Sequence, residues 1–161
     1  MRVGQGVDVH RFDEQSGPTQ IRLGGVDVPA PHALLAHSDG DVLLHAICDA
    51  LLGAAGLGDI GEHFPDTDAA WAGADSRALL KQVDNSVRSH GWQLVNLDVT
   101  LIAQTPRVGD YKAAMRTSIA EVLNVDPSRI NVKATTTEKL GFVGRKEGVA
   151  AEAICLLEPS S

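Results

Sequence analysis

The sequence predicts a two-layer α+β domain, a mixed β-sheet with helices packed on one face. Three observations lead there. Segments that alternate apolar and polar residues, such as 92–104, carry the period of a half-buried strand. Segments such as 42–56, with Leu44, Ile47, Cys48, Leu51 and Leu52, carry the period of a helix. Read along the chain, the elements run strand, strand, helix, helix, strand, helix, strand, strand, with no repeats, low-complexity segments or internal linker. The 161 residues suit one domain, 1–161, around one core.

Taken in order, residues 1–12 read as a strand and 21–28 as another, joined by the polar link 13–20 with Gly17-Pro18. Pro29 and Pro31 end the second strand. Ser38 is placed to N-cap a helix, with Asp39 and Asp41 in its first turn, where the dipole favours acidic groups. That helix runs to about Gly56. Residues 53–73 are rich in loop signals and too long for a mere connector, which points to function. Asp75-Ser76 caps a helix to about His90, and Gly91 follows as a C′ residue. Residues 92–104 form a strand with Val95, Leu97, Val99 and Leu101 on one face. A helix over 110–123 and strands over 130–136 and 148–157 complete the chain.

Hydrophobic residues make up 43% and aromatics only 4%, so Ala, Val, Leu and Ile carry the packing. No apolar run approaches the ~20 residues of a membrane span. The chain opens on a strand pattern rather than signal-peptide anatomy, so a soluble cytoplasmic protein is expected. Cys48 and Cys155 lie in apolar surroundings outside any C-x-x-C motif and read as buried free thiols. The net charge of −7, with 14 basic residues dispersed along the chain, argues against nucleic acid as the main partner, and the lack of a spanning apolar run argues against a membrane. An anionic ligand would need a local positive site built from metals, backbone N–H groups and a few placed cations.

Asp8 and His10 lie two residues apart on one strand, so they share a face. His45 falls near the start of the second turn of the predicted helix. One carboxylate and two imidazoles form a common set for a catalytic zinc with an open fourth position. Asp49, four residues after His45, shares its helical face and is placed to accept the second imidazole N–H. The residues alone leave a second reading open, in which Asp8 caps a turn and the histidines are ordinary surface or core groups. His37 precedes the predicted cap, where helix N–H groups bind anions, and reads either as a phosphate donor or as a solvated turn residue.

The cluster Lys133-Ala134-Thr135-Thr136-Thr137-Glu138-Lys139 follows a strand. Its hydroxyls and backbone N–H groups can cradle phosphates, and Glu138 can hold Mg²⁺ or Mn²⁺. The alternative is a capping box formed by Thr135 and Glu138. Ala103-Gln104-Thr105-Pro106-Arg107 can read a base edge and meet a phosphate, or serve as a Pro-punctuated loop. Asp59-Ile60-Gly61 and Phe64-Pro65-Asp66-Thr67-Asp68 can line a polyol or form Asx-turns.

Taken together, Gly6-Val7-Asp8-Val9-His10, Ala36-His37-Ser38-Asp39-Gly40-Asp41-Val42 through His45 to Asp49, Gly58-Asp59-Ile60-Gly61, Phe64 to Asp68, Gly73-Ala74-Asp75-Ser76, and residues 132–142 with Gly144-Arg145 resemble the 2-C-methyl-D-erythritol 2,4-cyclodiphosphate synthases. The likeness runs in order over nearly the whole chain. It implies a homotrimer whose sheets face the three-fold axis, with active sites between neighbouring subunits. It implies a lyase of non-mevalonate isoprenoid biosynthesis that converts 4-diphosphocytidyl-2-C-methyl-D-erythritol 2-phosphate to the 2,4-cyclodiphosphate and CMP.

By that resemblance, Asp8, His10 and His45 hold one Zn²⁺ per subunit, and Glu138 helps hold a Mg²⁺ or Mn²⁺ that arrives with the substrate. His37 and Thr136 polarise or orient the phosphates. Asp8, Val9, His10, His37, Ser38, Asp59, Ile60, Gly61, Phe64, Pro65, Asp66, Thr67 and Asp68 meet the substrate's methylerythritol phosphate part. Ala103, Gln104, Thr105, Pro106, Arg107, Val108 and Gly109, with Thr135, Thr136, Thr137 and Glu138, hold the cytidine and its phosphates from an adjacent subunit. Phe142 and Arg145 border an axial cavity able to take an isoprenoid diphosphate. The chain departs from the expected pattern at Val108-Gly109, in the longer 13–20 link and at Gln5. Two other classes stand beside this one. A non-catalytic isoprenoid-diphosphate-binding protein would use Phe142 and Arg145 alone. A zinc hydrolase would need a general base beside the metal, and no H-E-x-x-H motif supplies one.

Overall fold

Two glycines on the first strand decide how closely the fold's main helix can approach. The computed structural model describes residues 1–161. Strand β1 (Arg2–Arg11) turns Gly4 and Gly6 inward, and helix α1 (Val42–Ala55) packs directly onto them. A Cβ on Gly4 would collide with the Ala50 carbonyl and Ala54, and one on Gly6 with the Ala46 carbonyl. The facing helix row is itself small, Ala46, Ala50 and Ala54, at the i, i+4 spacing of one helical face. Strand and helix run in opposite senses along this seam. The inward row of β1 therefore continues from Gly4 and Gly6 through Asp8 and His10 towards the N-terminal end of α1, where His45 stands.

The remaining elements are β2 (Thr19–Leu23), β3 (Val26–Ala30), the short α2 (Ile60–His63), α3 (Ser76–Ser89), β4 (Trp92–Ile102), α4 (Lys112–Leu123), β5 (Ile130–Thr135), the short α5 (Gly141–Gly144) and β6 (Gly148–Pro159). The main sheet has the order β1-β6-β4-β5. β6 runs antiparallel to both β1 and β4, while β4 and β5 are parallel and joined through α4. Helices α1, α3 and α4 cover one face. The other face has no layer over it, and Val3, Val7, Val9 and Ile154 stand exposed there. This is the mixed sheet with helices on one face that the sequence predicts. A single core cluster runs through the domain, Phe12 being its only fully buried aromatic ring. No helix is long and apolar enough to cross a membrane.

Four local expectations change. Residues 21–28 are not one strand but the arms of a hairpin, β2 and β3, turning at Gly24-Gly25 with φ of 62° and 76°. Two successive left-handed residues make a tight primed turn, which two glycines allow without strain. The 13–20 link accordingly does not join paired strands, because β1 pairs with β6. The N-cap of α1 is Asp41 rather than Ser38, since Gly40 at φ 76° breaks any helical path before it. The buried Asp41 carboxylate accepts the Leu44 N–H at 3.1 Å and the turn N–H groups of Gly24 and Gly25 at 2.9 and 2.7 Å, tying the hairpin to the helix. In β4 a bulge between Leu94 and Asn96 shifts the phase, so Leu94 joins the buried row and Val95 leaves it. Finally, α4 starts at Lys112 after a 3₁₀ turn at Gly109–Tyr111.

Candidate active site

The inward row of β1 and the first turn of α1 converge at three side chains. Asp8 Oδ2 lies 2.9 Å from His10 Nε2 and 3.1 Å from His45 Nδ1, and the two ring nitrogens are 3.2 Å apart. Donor atoms around a tetrahedral zinc with bonds of ~2.0–2.1 Å are separated by about 3.3 Å, so a carboxylate and two imidazoles in this triangle fit such an ion with modest outward relaxation. No other group of three His, Cys, Asp or Glu side chains converges in this way.

Electrostatics at the cluster follow from the same contacts. Burial acts to raise the Asp8 carboxyl, but the hydrogen bonds and charges of His10 and His45 outweigh it and hold the group down at about 2. For His45, burial opposes the charged ring, yet the Asp8 hydrogen bond and the nearby Asp8, Asp41 and Asp39 charges raise its pKa. Both shifts have one source, the negative charge of Asp8 and its neighbours beside the two imidazoles, and that charge suits a divalent cation.

Asp49 does not serve His45. Its carboxylate instead accepts the Ile60 N–H at 2.7 Å and anchors the start of α2. Helical side chains lean towards the helix N-terminus, so the His45 ring reaches away from Asp49. There His45 Nε2 meets Ser76 Oγ at 2.8 Å and Ser38 Oγ at 3.2 Å. Ser76, the first residue of α3, is fully buried and is the partner that spacing along α1 alone does not reveal.

A cavity of about 350 Å³ opens beside the cluster. Asp8, His10, His37, Ser38, His45, Ile60, Gly61, Phe64 and Asp66 line it, together with Leu35, Ala36, Trp71 and Leu79, which were not anticipated. Its loop wall is ordered by short-range bonds. Asp59 caps α2 by accepting the Glu62 N–H at 2.9 Å, Asp68 accepts the Ala70 N–H at 2.9 Å, and Phe64 packs edge-on against Trp71 with centroids 4.9 Å apart. His37 Nε2 donates to the Asp68 carbonyl at 3.1 Å. Val9, one step along β1 from the ligands, points to the uncovered sheet face, and Asp59, Pro65, Thr67 and Asp68 stand outside the lining.

A second cavity, of about 420 Å³, sits at the end of β4 and β5. Ala103, Pro106, Arg107, Val108, Gly109, Thr135 and Thr136 line it, with Leu101, Asp110, Lys112 and Ala134. Gln104 and Thr105 face a neighbouring polar cleft that shares Arg107 with it. The capping-box alternative at 135–138 fails. Glu138 and Lys139 adopt left-handed φ of 53° and 64°, and the Glu138 N–H bonds to Thr136 Oγ1 at 3.2 Å. The Thr137 hydroxyl donates to the Leu140 carbonyl, leaving Glu138 exposed at the tip of the loop. No residue lines both this cavity and the one beside Asp8. Phe142 and Arg145 lie on and just after α5, Phe142 42% exposed and Arg145 paired with Glu147 at 2.6 Å.

A carboxylate and two imidazoles meeting at the mouth of a polar cavity, on an α+β layer, fit the class of metal-dependent enzymes. The chain belongs to the YgbB family, whose model matches residues 1–158. It is 59% identical over 160 residues to the 2-C-methyl-D-erythritol 2,4-cyclodiphosphate synthase of Chromohalobacter salexigens, covering 99% of this chain and 97% of that protein. It is 58% identical over 157 residues to the same enzyme of Photobacterium profundum, covering 98% of each. Among solved structures, it matches the bifunctional IspDF of Campylobacter jejuni with a TM-score of 0.92 and 51% identity, over 98% of this chain and 42% of that longer protein. The CDP complex of IspF from Plasmodium falciparum matches at 0.84 and 36%, over 99% of this chain and 97% of that one.

Proposed function

We propose that this chain is a 2-C-methyl-D-erythritol 2,4-cyclodiphosphate synthase, a phosphorus–oxygen lyase of isoprenoid biosynthesis, with residues 1–161 as one catalytic domain. The observation that carries the reading is the Asp8–His10–His45 triangle in a chain that aligns end to end with enzymes of that name. The substrate supplies its own nucleophile. An oxygen of the 2-phosphate bonds to the β-phosphorus of 4-diphosphocytidyl-2-C-methyl-D-erythritol 2-phosphate, the bond from that phosphorus to the α-β bridging oxygen breaks, and CMP leaves with the electron pair. The protein therefore needs to align two phosphates and offset their charge, rather than provide an attacking side chain.

Asp8, His10 and His45 hold Zn²⁺, and Glu138 holds Mg²⁺ or Mn²⁺ carried by the substrate. Bound there, the ions neutralise and polarise phosphate oxygens. The loop around Phe64 and Asp66, with Ile60, Gly61, Asp59, Pro65, Thr67 and Asp68, encloses the methylerythritol part against Val9 and Ser38. His37 and Thr136 orient the phosphates. Residues 103–109 and 135–137 receive the cytidine diphosphate. That the Plasmodium falciparum relative forms a CDP complex supports a cytidine diphosphate ligand for this chain.

The reading includes a homotrimer, in which the cytidine cavity of one subunit completes the metal cavity of the next. Two observations support it: the two cavities share no lining residue, and an uncovered sheet face carries Val3, Val7, Val9 and Ile154. Phe142 and Arg145 then border an axial cavity suited to an isoprenoid diphosphate, with an apolar surface beside a guanidinium. The test is ³¹P NMR of the purified protein with 4-diphosphocytidyl-2-C-methyl-D-erythritol 2-phosphate and Mg²⁺, with and without zinc. CMP and a cyclic diphosphate are expected. An opened diphosphate would identify a hydrolase, and no turnover by the zinc-loaded protein would leave only a binding role.

A further inference from the structure

We propose that Ser76 and Asp39 form a buried positioning relay that fixes the hydrogen of His45 on Nε2 and so presents its Nδ1 lone pair to the metal. The inference rests on the metal-centre reading above and adds two residues that do not touch the ion.

The Asp39 carboxylate accepts the Ser76 hydroxyl at 2.5 Å, the Ser76 N–H at 2.9 Å and the Asp41 N–H at 3.1 Å. A carboxylate acts here only as an acceptor, so the single hydroxyl hydrogen of Ser76 is committed to Asp39. Ser76 Oγ also lies 2.8 Å from His45 Nε2, and with its hydrogen already placed it can only accept there. The hydrogen between them belongs to the ring. Ser38 Oγ, 3.2 Å from the same nitrogen, accepts the Gly40 N–H at 3.3 Å and has its own hydrogen uncommitted, so Ser76, at the shorter distance and with its hydrogen spent, is the group that selects the ring hydrogen.

A neutral imidazole with its hydrogen on Nε2 keeps a lone pair on Nδ1. Nδ1 is the atom that faces Asp8 Oδ2 and His10 Nε2; its hydrogen bond to Asp8 belongs to the protonated ring, and for the neutral ring the His10 Nε2–H is the donor into that corner. The opposite tautomer would set two lone pairs against each other at Ser76 and turn an N–H towards the metal. Burial makes the constraint stringent, because Ser76 has no exposed surface and His45 is only 8% exposed, so water cannot substitute for the missing partner. The relay also crosses elements. Asp39 belongs to the loop that carries His37 and Ser38, and Ser76 opens α3, so the ligand ring, the substrate loop and the helix are held by one carboxylate.

The test compares wild type, Ser76→Ala, Asp39→Ala and the double variant. Zinc dissociation constants are measured by chelator competition. Ring ¹⁵N shifts of His45 are recorded in metal-free protein at alkaline pH, where the ring is neutral. Ser76→Ala keeps the backbone bond to Asp39, so α3 should remain in place. The relay predicts a wild-type ring with its hydrogen on Nε2, and in Ser76→Ala a mixed tautomer with zinc bound about tenfold more weakly, the lower end of outer-shell effects. Asp39→Ala should weaken zinc similarly although Ser76 remains, and the double variant should be no weaker than either. Saturating zinc should restore turnover to Ser76→Ala. A wild-type ring with hydrogen on Nδ1 would overturn the relay. So would a folded Ser76→Ala variant that binds zinc within twofold of wild type. Equal zinc binding by wild type and His45→Ala would defeat the metal-centre reading instead, while the ring shifts would still decide the tautomer.

Discussion

His45 Nδ1 stands 3.1 Å from Asp8 Oδ2 although 37 positions separate them in the chain. The contact exists because the inward row of β1 leads along the α1 seam to the helix's first turn. Replacing His45 by Ala removes one of three donors and opens the cluster to water. Zinc content should fall from about one per chain to near zero, and turnover should be lost. Metal analysis of the dialysed variant beside an activity assay checks this. A variant that kept both would remove His45 from the metal centre.

Glu138 lies outside that cluster, exposed on a loop whose backbone turns left-handed at two successive residues. Such residues cost of order 1 kcal/mol each and persist where their placement matters. Glu138→Gln keeps the size and removes the charge. The Mg²⁺ or Mn²⁺ concentration needed for half-maximal turnover should rise at least tenfold, with zinc content unchanged. Parallel loss of both metals would mean that the sites are not separate.

The closeness of β1 and α1 makes its own prediction. Gly6 meets the Ala46 carbonyl with no space for a Cβ, and the obstacle is backbone rather than a flexible side-chain end. Gly6→Ala should destabilise the fold by about 3 kcal/mol, the upper range of overpacking. It should also weaken zinc binding, because Asp8 follows on the same row. Urea unfolding of the metal-free protein measures the first effect, and chelator competition the second. A variant with unchanged midpoint would mean that the seam can open freely.

These residues also show what the sequence makes legible. The shared face of Asp8 and His10 follows from the strand period alone, and the helical period of Leu44 to Leu52 places His45 on α1. Their meeting depends on which strand the helix covers, a long-range choice encoded in Gly4 and Gly6, whose missing side chains leave no periodic signal. The Asp41 cap was obscured by Ser38, an equally good capping residue three positions earlier. What disqualified Ser38 was the left-handed turn at Gly40. Asp49 had the right spacing, but a helical side chain leans towards the N-terminus, so the ring met Ser76 instead. The bulge that displaced Val95 is a one-residue irregularity in a strand otherwise perfectly alternating.

Burial raises both thiols, Cys48 well above its usual value and Cys155 to about 11. A thiol raised in the folded state stabilises folding fully below its unfolded pKa near 9, and that contribution is lost as pH climbs through about 11. The native protein should therefore resist a thiol-specific disulfide reagent at pH 8 and expose two reactive thiols in denaturant. Its stability should fall between pH 9 and 11, and less steeply in a Cys155→Ala variant. Rapid labelling of the native protein at pH 8 would contradict the burial argument.

The uncovered sheet face supplies the last test. Ile154, on β6, is 53% exposed and pairs across the sheet with Gln5 of β1 and Asp98 of β4, close to the exposed Val3 and Val7. A charge at its centre should oppose burial of this face between subunits, since an unpaired carboxylate loses its hydration there. Under the proposed homotrimer, the wild type should sediment as a trimer and Ile154→Glu as a monomer at sedimentation equilibrium. The metal ligands all come from one chain, so the monomer should still bind zinc with near-normal affinity. Turnover should nonetheless fall by orders of magnitude, because in the proposed trimer the cytidine cavity and the metal cavity meet only between subunits. A monomer that turned over at the wild-type rate would place the whole active site within one subunit, and a variant that stayed trimeric would move the interface away from Ile154.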